Sequence, residues 1–127
     1  MPFAALVYDV EPGHEDAIAS IFADFRRVGS STVPGTGGEN VGRILATAVF
    51  LRDATVVRVI EYEGDLDAIA EHMARQPGVL DLERQLKPYL ASPRETDTVE
   101  GFVRTFRSSL LRCAIQLAVP RSYAPTP

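Results

Sequence analysis

The chain has 127 residues, 46% of them hydrophobic and 24% charged, which fits one globular domain with a single core. Its net charge of −4 and the lack of any dense Lys/Arg cluster give no support to nucleic-acid binding, which leaves a basic footprint. The single Cys113 excludes an internal disulfide and suits a reducing compartment. The opening "MPFAALVYDVEPG" lacks a basic n-region and carries Asp9 and Glu11 in its apolar stretch, so it does not read as a signal peptide. The late apolar run "LLRCAIQLAV" contains Arg112 and Gln116 and is too short to span a bilayer. The expectation is a cytoplasmic domain with neither a membrane nor a nucleic acid as partner.

In chain order, "FAALVYDV" (3–10) predicts a strand apolar on both faces, which must be covered on both sides. "PGHEDAIASIFADFRRV" predicts a helix, with Glu15 and Asp16 in the first turn and Arg26-Arg27 in the last. "GSSTVPGTGGEN" (29–40) reads as a long glycine-rich loop, expected to be mobile or to act as a lid. "GRILATAVFLRD" and "ATVVRVIEYEG" predict two strands joined by a tight turn near Arg52-Asp53-Ala54. "DLDAIAEHMARQ" predicts a helix capped by Asp65. Pro77 restarts a short helix, expected to lead into a last strand near Leu86 to Leu90. "DTVEGFVRTFRSSLLRCA" predicts a final helix capped by Asp97 or Thr98, with the three-proline tail loosely ordered.

The predicted order is β-α-β-β-α-β with an added C-terminal helix, a ferredoxin-like α+β class with an antiparallel sheet. Residues 1–113 form the expected domain, including a helix over 97–113, and 114–127 an extended tail. Two helices cover one sheet face. A second copy is the economical cover for the other, giving a homodimer of the dimeric α/β-barrel type.

The segments "VVRVIEYEGD", "ARQPGV" and "L-x-PYL", within 49–90 and with "ALVYDVEPGHEDAIASIF" upstream, together resemble the SchA/CurD-like family of aromatic polyketide and spore-pigment gene clusters. More distantly, the layout is similar to the tetracenomycin-type polyketide cyclases, dimeric ferredoxin-like proteins. The resemblance matches the cyclase's strand histidine to Arg58, its preceding-strand arginine to Thr47, and its helix-end polar pair to Phe25 and Arg26. This sequence departs from the cyclase at every one of those positions, so the resemblance supports shared fold and pathway better than shared mechanism.

Arg58 alternates with Val56, Ile60 and Tyr62 on one face, and either hairpin register places it beside Thr47 and Val49. An arginine cannot shed its charge, so burial requires an acidic partner or a polar ligand. One reading is an ordinary salt bridge or dimer contact to Glu61 or Glu63. The other, implied by the resemblance, is a guanidinium that binds or polarises polyketide carbonyls or phenolates. His72, on the shoulder of the Leu66-Ile69-Met73 stripe, is either structural or a proton shuttle near neutral pH. His14 reads as a solvated helix-start residue, and Asp24 and Arg26 either mark a cavity mouth or a solvated helix end. Tyr8, Tyr62 and Tyr89 read as core tyrosines with bonded hydroxyls, or as an aromatic lining for a flat ligand. Cys113 reads as buried and inert.

The catalytic candidates are therefore Arg58 and His72. The substrate-binding candidates are Tyr8, Phe25, Arg26, Thr47, Val49, Ile60, Tyr62 and Tyr89. No cluster has metal-ligand spacing and "GTGG" is no nucleotide loop, so no metal and no cofactor is expected. The resemblance implies a small-molecule aromatic polyketide as partner, and polyketide synthase components as possible others. It leaves three roles open: assisting aldol-type cyclisation, cofactor-independent monooxygenation to a quinone, and a non-catalytic scaffold that holds the polyketide.

Overall fold

The computed structural model describes residues 2–24, 32–34 and 40–119. The elements are β1 (Phe3–Asp9), α1 (Glu15–Ala23), β2 (Thr32–Pro34), β3 (Asn40–Arg52), β4 (Thr55–Gly64), α2 (Leu66–Ala74), α3 (Pro77–Leu86), a 3₁₀ turn (Lys87–Tyr89) and α4 (Val99–Ser109). The architecture is α+β: one antiparallel sheet of order β1-β4-β3-β2, with helices packed on one face.

The β-branched run of β4 makes it the central strand. It pairs with β1 from Phe3↔Glu61 to Asp9↔Thr55, and with β3 down to Arg52↔Thr55 across a two-residue turn. Asp53 takes φ 54 in that turn, a left-handed conformation that aspartate tolerates better than most residues. A bulge at Leu45 lies between the Ile44↔Tyr62 and Ala46↔Glu61 pairs. At the far end of the hairpin Gly64 has φ 91, and a Cβ there would collide with the Val41 carbonyl oxygen and sit 2.6 Å from Gly42 Cα. Only glycine fits that corner.

Burial alternates along β1 and β4, with Ala4, Leu6, Tyr8, Val56, Arg58 and Ile60 turned inward. The helices close over them with Ile18, Ile69, Met73, Val79, Leu82, Leu86, Phe102 and Phe106. Asp65 caps α2 by accepting from the Asp67 N–H at 2.9 Å, as its position predicts, and Thr98 caps α4 by accepting from the Gly101 N–H at 3.0 Å.

Four local expectations are corrected. The last strand near Leu86–Leu90 does not form. Residues Lys87–Tyr89 make a 3₁₀ turn, and the strand shrinks to one bridge, Val10↔Leu90. Pro88 has no N–H to give a ladder, which disfavours pairing there. The final helix stops at Ser109 instead of continuing to 113. Leu110 turns to φ −64, ψ 131 and bridges Leu6, and the Leu111 N–H donates to the Ala5 carbonyl at 2.8 Å. Cys113 is consequently exposed, not buried. Within the expected 29–40 loop, Thr32–Pro34 form a strand against β3, while 29–31 and 35–39 lie outside the described residues. No described helix is long and apolar enough to cross a membrane.

Candidate functional site

A cavity of about 340 Å³ opens between α1 and β3, near the lower end of ligand-site volumes. Its helix wall is Ala19, Phe22 and Ala23. Its sheet wall is Thr47, Ala48, Val49 and Leu51, with Arg58 from β4. Space exists here because α1 presents two alanines one turn apart toward the sheet, leaving Phe22 as the single bulky wall. The bulge at Leu45 precedes this stretch, so Thr47, Val49 and Leu51 share the face of Arg58.

Arg58 is 5% exposed. Val49 is its cross-strand partner, and its Nε donates to Thr47 Oγ1 at 3.4 Å, a long bond. The guanidinium also donates to the Tyr8 hydroxyl, which belongs to the neighbouring strand. Strand alternation places Glu61 and Glu63 toward the opposite sheet face, and Glu63 lies 3.8 Å from Arg43.

Behind Tyr8 stands a second arginine. Arg94 Cζ lies 4.1 Å from the centre of the Tyr8 ring, in cation–π geometry. Its Nε donates to Glu83 Oε1 at 3.0 Å and its Nη1 to Ser109 Oγ at 2.8 Å. Glu83 is 3% exposed, so this is a buried ion pair. Arg58, Arg94 and Glu83 thus place two positive charges and one negative around one phenol.

Burial pushes the Tyr8 phenol above its ordinary value of 10.0. Glu83 adds to the rise, while Arg58 and Arg94 oppose it. Because the folded state holds this proton more tightly, Tyr8 contributes stability below about pH 10 that is lost as pH rises through the folded value. In Tyr8→Phe that alkaline loss should be smaller. Chemical denaturation of both proteins between neutral pH and pH 11 reads the difference, and equal slopes would contradict the assignment.

Of the substrate-binding candidates, Thr47 and Val49 line the cavity, and Tyr8 reaches it through Arg58 and by an edge contact with Phe22 at 6.0 Å. Ile60 is buried beside Thr47, and Tyr62, opposite Ile44, lies farther along the same face. Tyr89 is displaced into the 3₁₀ turn, where it packs against His14 at 5.3 Å. His72 is half-buried on α2 and does not line the cavity. Phe25 and Arg26 lie outside the described residues. Sequence reasoning missed the cavity roles of Ala19, Phe22, Ala23 and Leu51, and the Glu83–Arg94 pair. Glu83 did carry a signal, since it falls in the buried i, i+3, i+4, i+7 stripe of Val79, Leu82 and Leu86. Among the described residues, no His, Cys, Asp and Glu cluster could hold a metal ion.

The SchA/CurD like domain model matches residues 1–119. The chain belongs to the SchA/CurD-like family. Curated relatives of this SchA/CurD-like domain include a 42.8 kDa protein in the whiE locus of Streptomyces coelicolor, 32% identical over 80% of this chain and 24% of the relative. Polyketide synthase CurD of Streptomyces cyaneus is 34% identical over 76% of this chain and 25% of its own length. Protein SchA of Streptomyces halstedii is 33% identical over 72% and 22%. The SchA/CurD-like domain therefore spans about a quarter of the length of the curated relatives it matches. Among solved structures, its fold is similar to that of tetracenomycin F2 cyclase from Streptomyces glaucescens, a type-II polyketide cyclase. The TM-score is 0.58 at 16% identity, covering 94% of this chain and all of that one, a likeness of fold alone.

Proposed function

We propose that this chain binds an aromatic polyketide intermediate in the Arg58 cavity and assists its aldol-type ring closure. The observation that carries this reading is the buried guanidinium at the cavity wall, beside Thr47 and the apolar side chains of Phe22, Val49 and Leu51. In the closure, a methylene between two carbonyls loses a proton to solvent and its enolate carbon bonds to a second carbonyl carbon. The resulting alkoxide takes a proton back, and loss of water makes the ring aromatic. The sequence is redox-neutral. Arg58 would hold the oxygen on which charge develops, as a charged donor in a low-dielectric wall. Thr47 and Tyr8 fix the guanidinium plane, and Phe22 offers a surface for a flat ring system. His72 stands outside the cavity wall, so no proton is routed through it.

The ferredoxin-like dimer belongs to the same proposal. Val57 and Val59 are half-buried on the outer face and Phe50 is 62% exposed there, with no described helix over them. Two such faces stacked together would bury on the order of 1,000 Å² or more. The last ferredoxin strand would correspond to the Val10↔Leu90 bridge on the outer edge of β1.

The test is incubation of the purified chain with an early-cyclised polyketide, with and without oxygen. Loss of water in the absence of oxygen is the expected result. Oxygen-dependent mass gain would assign a cofactor-independent monooxygenase instead, and binding without turnover a scaffold.

A further inference from the structure

Tyr8 touches both walls of the Arg58 cavity. On β1 it is the diagonal neighbour of Arg58, across the Leu6↔Arg58 and Tyr8↔Val56 pairs, so the two side chains share the inner face. Its hydroxyl accepts from the Arg58 guanidinium, which belongs to the sheet wall. Its ring meets Phe22, which belongs to the helix wall, edge-on at 80°. A shift of this one ring would be felt on both sides of the cavity.

The ring is in turn held from outside the cavity. Arg94 covers it, and the loop that carries Arg94 is anchored to Glu83 of α3 and to Ser109 at the end of α4. Both Glu83 oxygens accept from this one guanidinium. The chain is buried throughout: side-chain exposure is 10% for Arg94 and 3% for Glu83, and Tyr8 is 2% exposed. Stability alone is a poor reason for such a pair, since apolar groups of similar volume often fill a core as well or better. What the pair adds is a fixed place. A planar guanidinium gripped by a carboxylate has little freedom to turn, and the ring it covers is held with it.

We infer that Glu83 and Arg94 are positioning residues for the cavity: through the Tyr8 ring they set the plane in which the Arg58 guanidinium meets a ligand. The inference rests on the cyclisation reading above and extends it to two residues that line no wall of that cavity. The links run from Glu83 to Arg94 by a carboxylate bond, to Tyr8 by a ring contact and to Arg58 by a hydroxyl bond. The Thr47 bond, long at 3.4 Å, holds Arg58 less firmly. A guanidinium turned slightly out of line still attracts a ground-state oxygen but serves developing charge less well, so the loss should fall on kcat and leave KM.

The test compares the full parent chain with Glu83→Leu/Arg94→Met, with Tyr8→Phe and with all three changes combined. Arg94→Lys is a second, milder variant that keeps a charge for Glu83 but loses the planar face. The first readout is the Arg58 Nε–H resonance in solution NMR, assigned by its loss in Arg58→Leu. It should shift and exchange faster with water in Glu83→Leu/Arg94→Met, in Arg94→Lys and in Tyr8→Phe. The second is anaerobic water loss from the polyketide, where kcat per folded chain should fall by up to about 10²-fold with KM little changed. Adding the paired change to Tyr8→Phe should cost no further rate, because the link is already cut. An Arg58 resonance that stays in place in both Arg94 variants overturns the inference. So does a rate that drops only with the folded fraction, or that falls in full again on top of Tyr8→Phe. A parent that turns nothing over sinks the cyclisation reading instead, and the resonance alone then decides whether Arg94 positions Arg58.

Discussion

Glu83→Ala should lower stability by about 3–5 kcal/mol, because it strips a buried guanidinium of its carboxylate. Arg94 would keep Ser109 and the Tyr8 ring but lose both bonds to Glu83. For a domain of this size, the melting temperature should fall by on the order of 10 °C or more. The double variant Glu83→Leu with Arg94→Met should recover much of that loss, since replacing a buried pair by apolar groups of similar volume is often close to neutral. Thermal unfolding of the three proteins decides it. A Glu83→Ala protein that melts with the parent would show that the pair carries no such weight.

The second large effect is expected at Arg58 and should separate activity from stability. Arg58→Leu removes a charge that is costly to bury, and with it the donors to Thr47 and Tyr8, worth about 1 kcal/mol each. The two terms oppose each other, so the melting temperature should move by only a few degrees. Loss of a preorganised donor at developing negative charge costs about 10²–10³-fold in rate. Arg58→Lys should fall between, because it keeps the charge but not the planar fork.

What was legible in the sequence was local. Asp65 at a helix start, the β-branched run of β4 and the tight turn at Asp53 each act within a few residues, and the structure forms all three. Strand alternation placed Arg58 beside Thr47 and Val49 because the Leu45 bulge precedes that register. The failures came where tertiary contacts overrode a local pattern. The stripe of α4 continues into Leu110, but pairing of Leu110 with Leu6 draws the chain out of the helix. "LKPYL" has the apolar residues of a strand, and Pro88 shapes it into a 3₁₀ turn. Glu83 and Arg94 come from a helix and a loop, so no periodicity links them. The cavity itself depends on how α1 sits over β3, a long-range packing that the stripe of α1 does not specify.

Arg58 is the group proposed to hold charge on the substrate. The measurement that tests it most directly is product formed per folded chain in the anaerobic polyketide incubation, for the parent and Arg58→Leu side by side, with melting temperatures recorded on the same samples. The predicted result is a rate lower by about 10²–10³-fold at nearly unchanged melting temperature. A rate that falls only in step with the folded fraction would contradict the assignment and return Arg58 to a purely structural role.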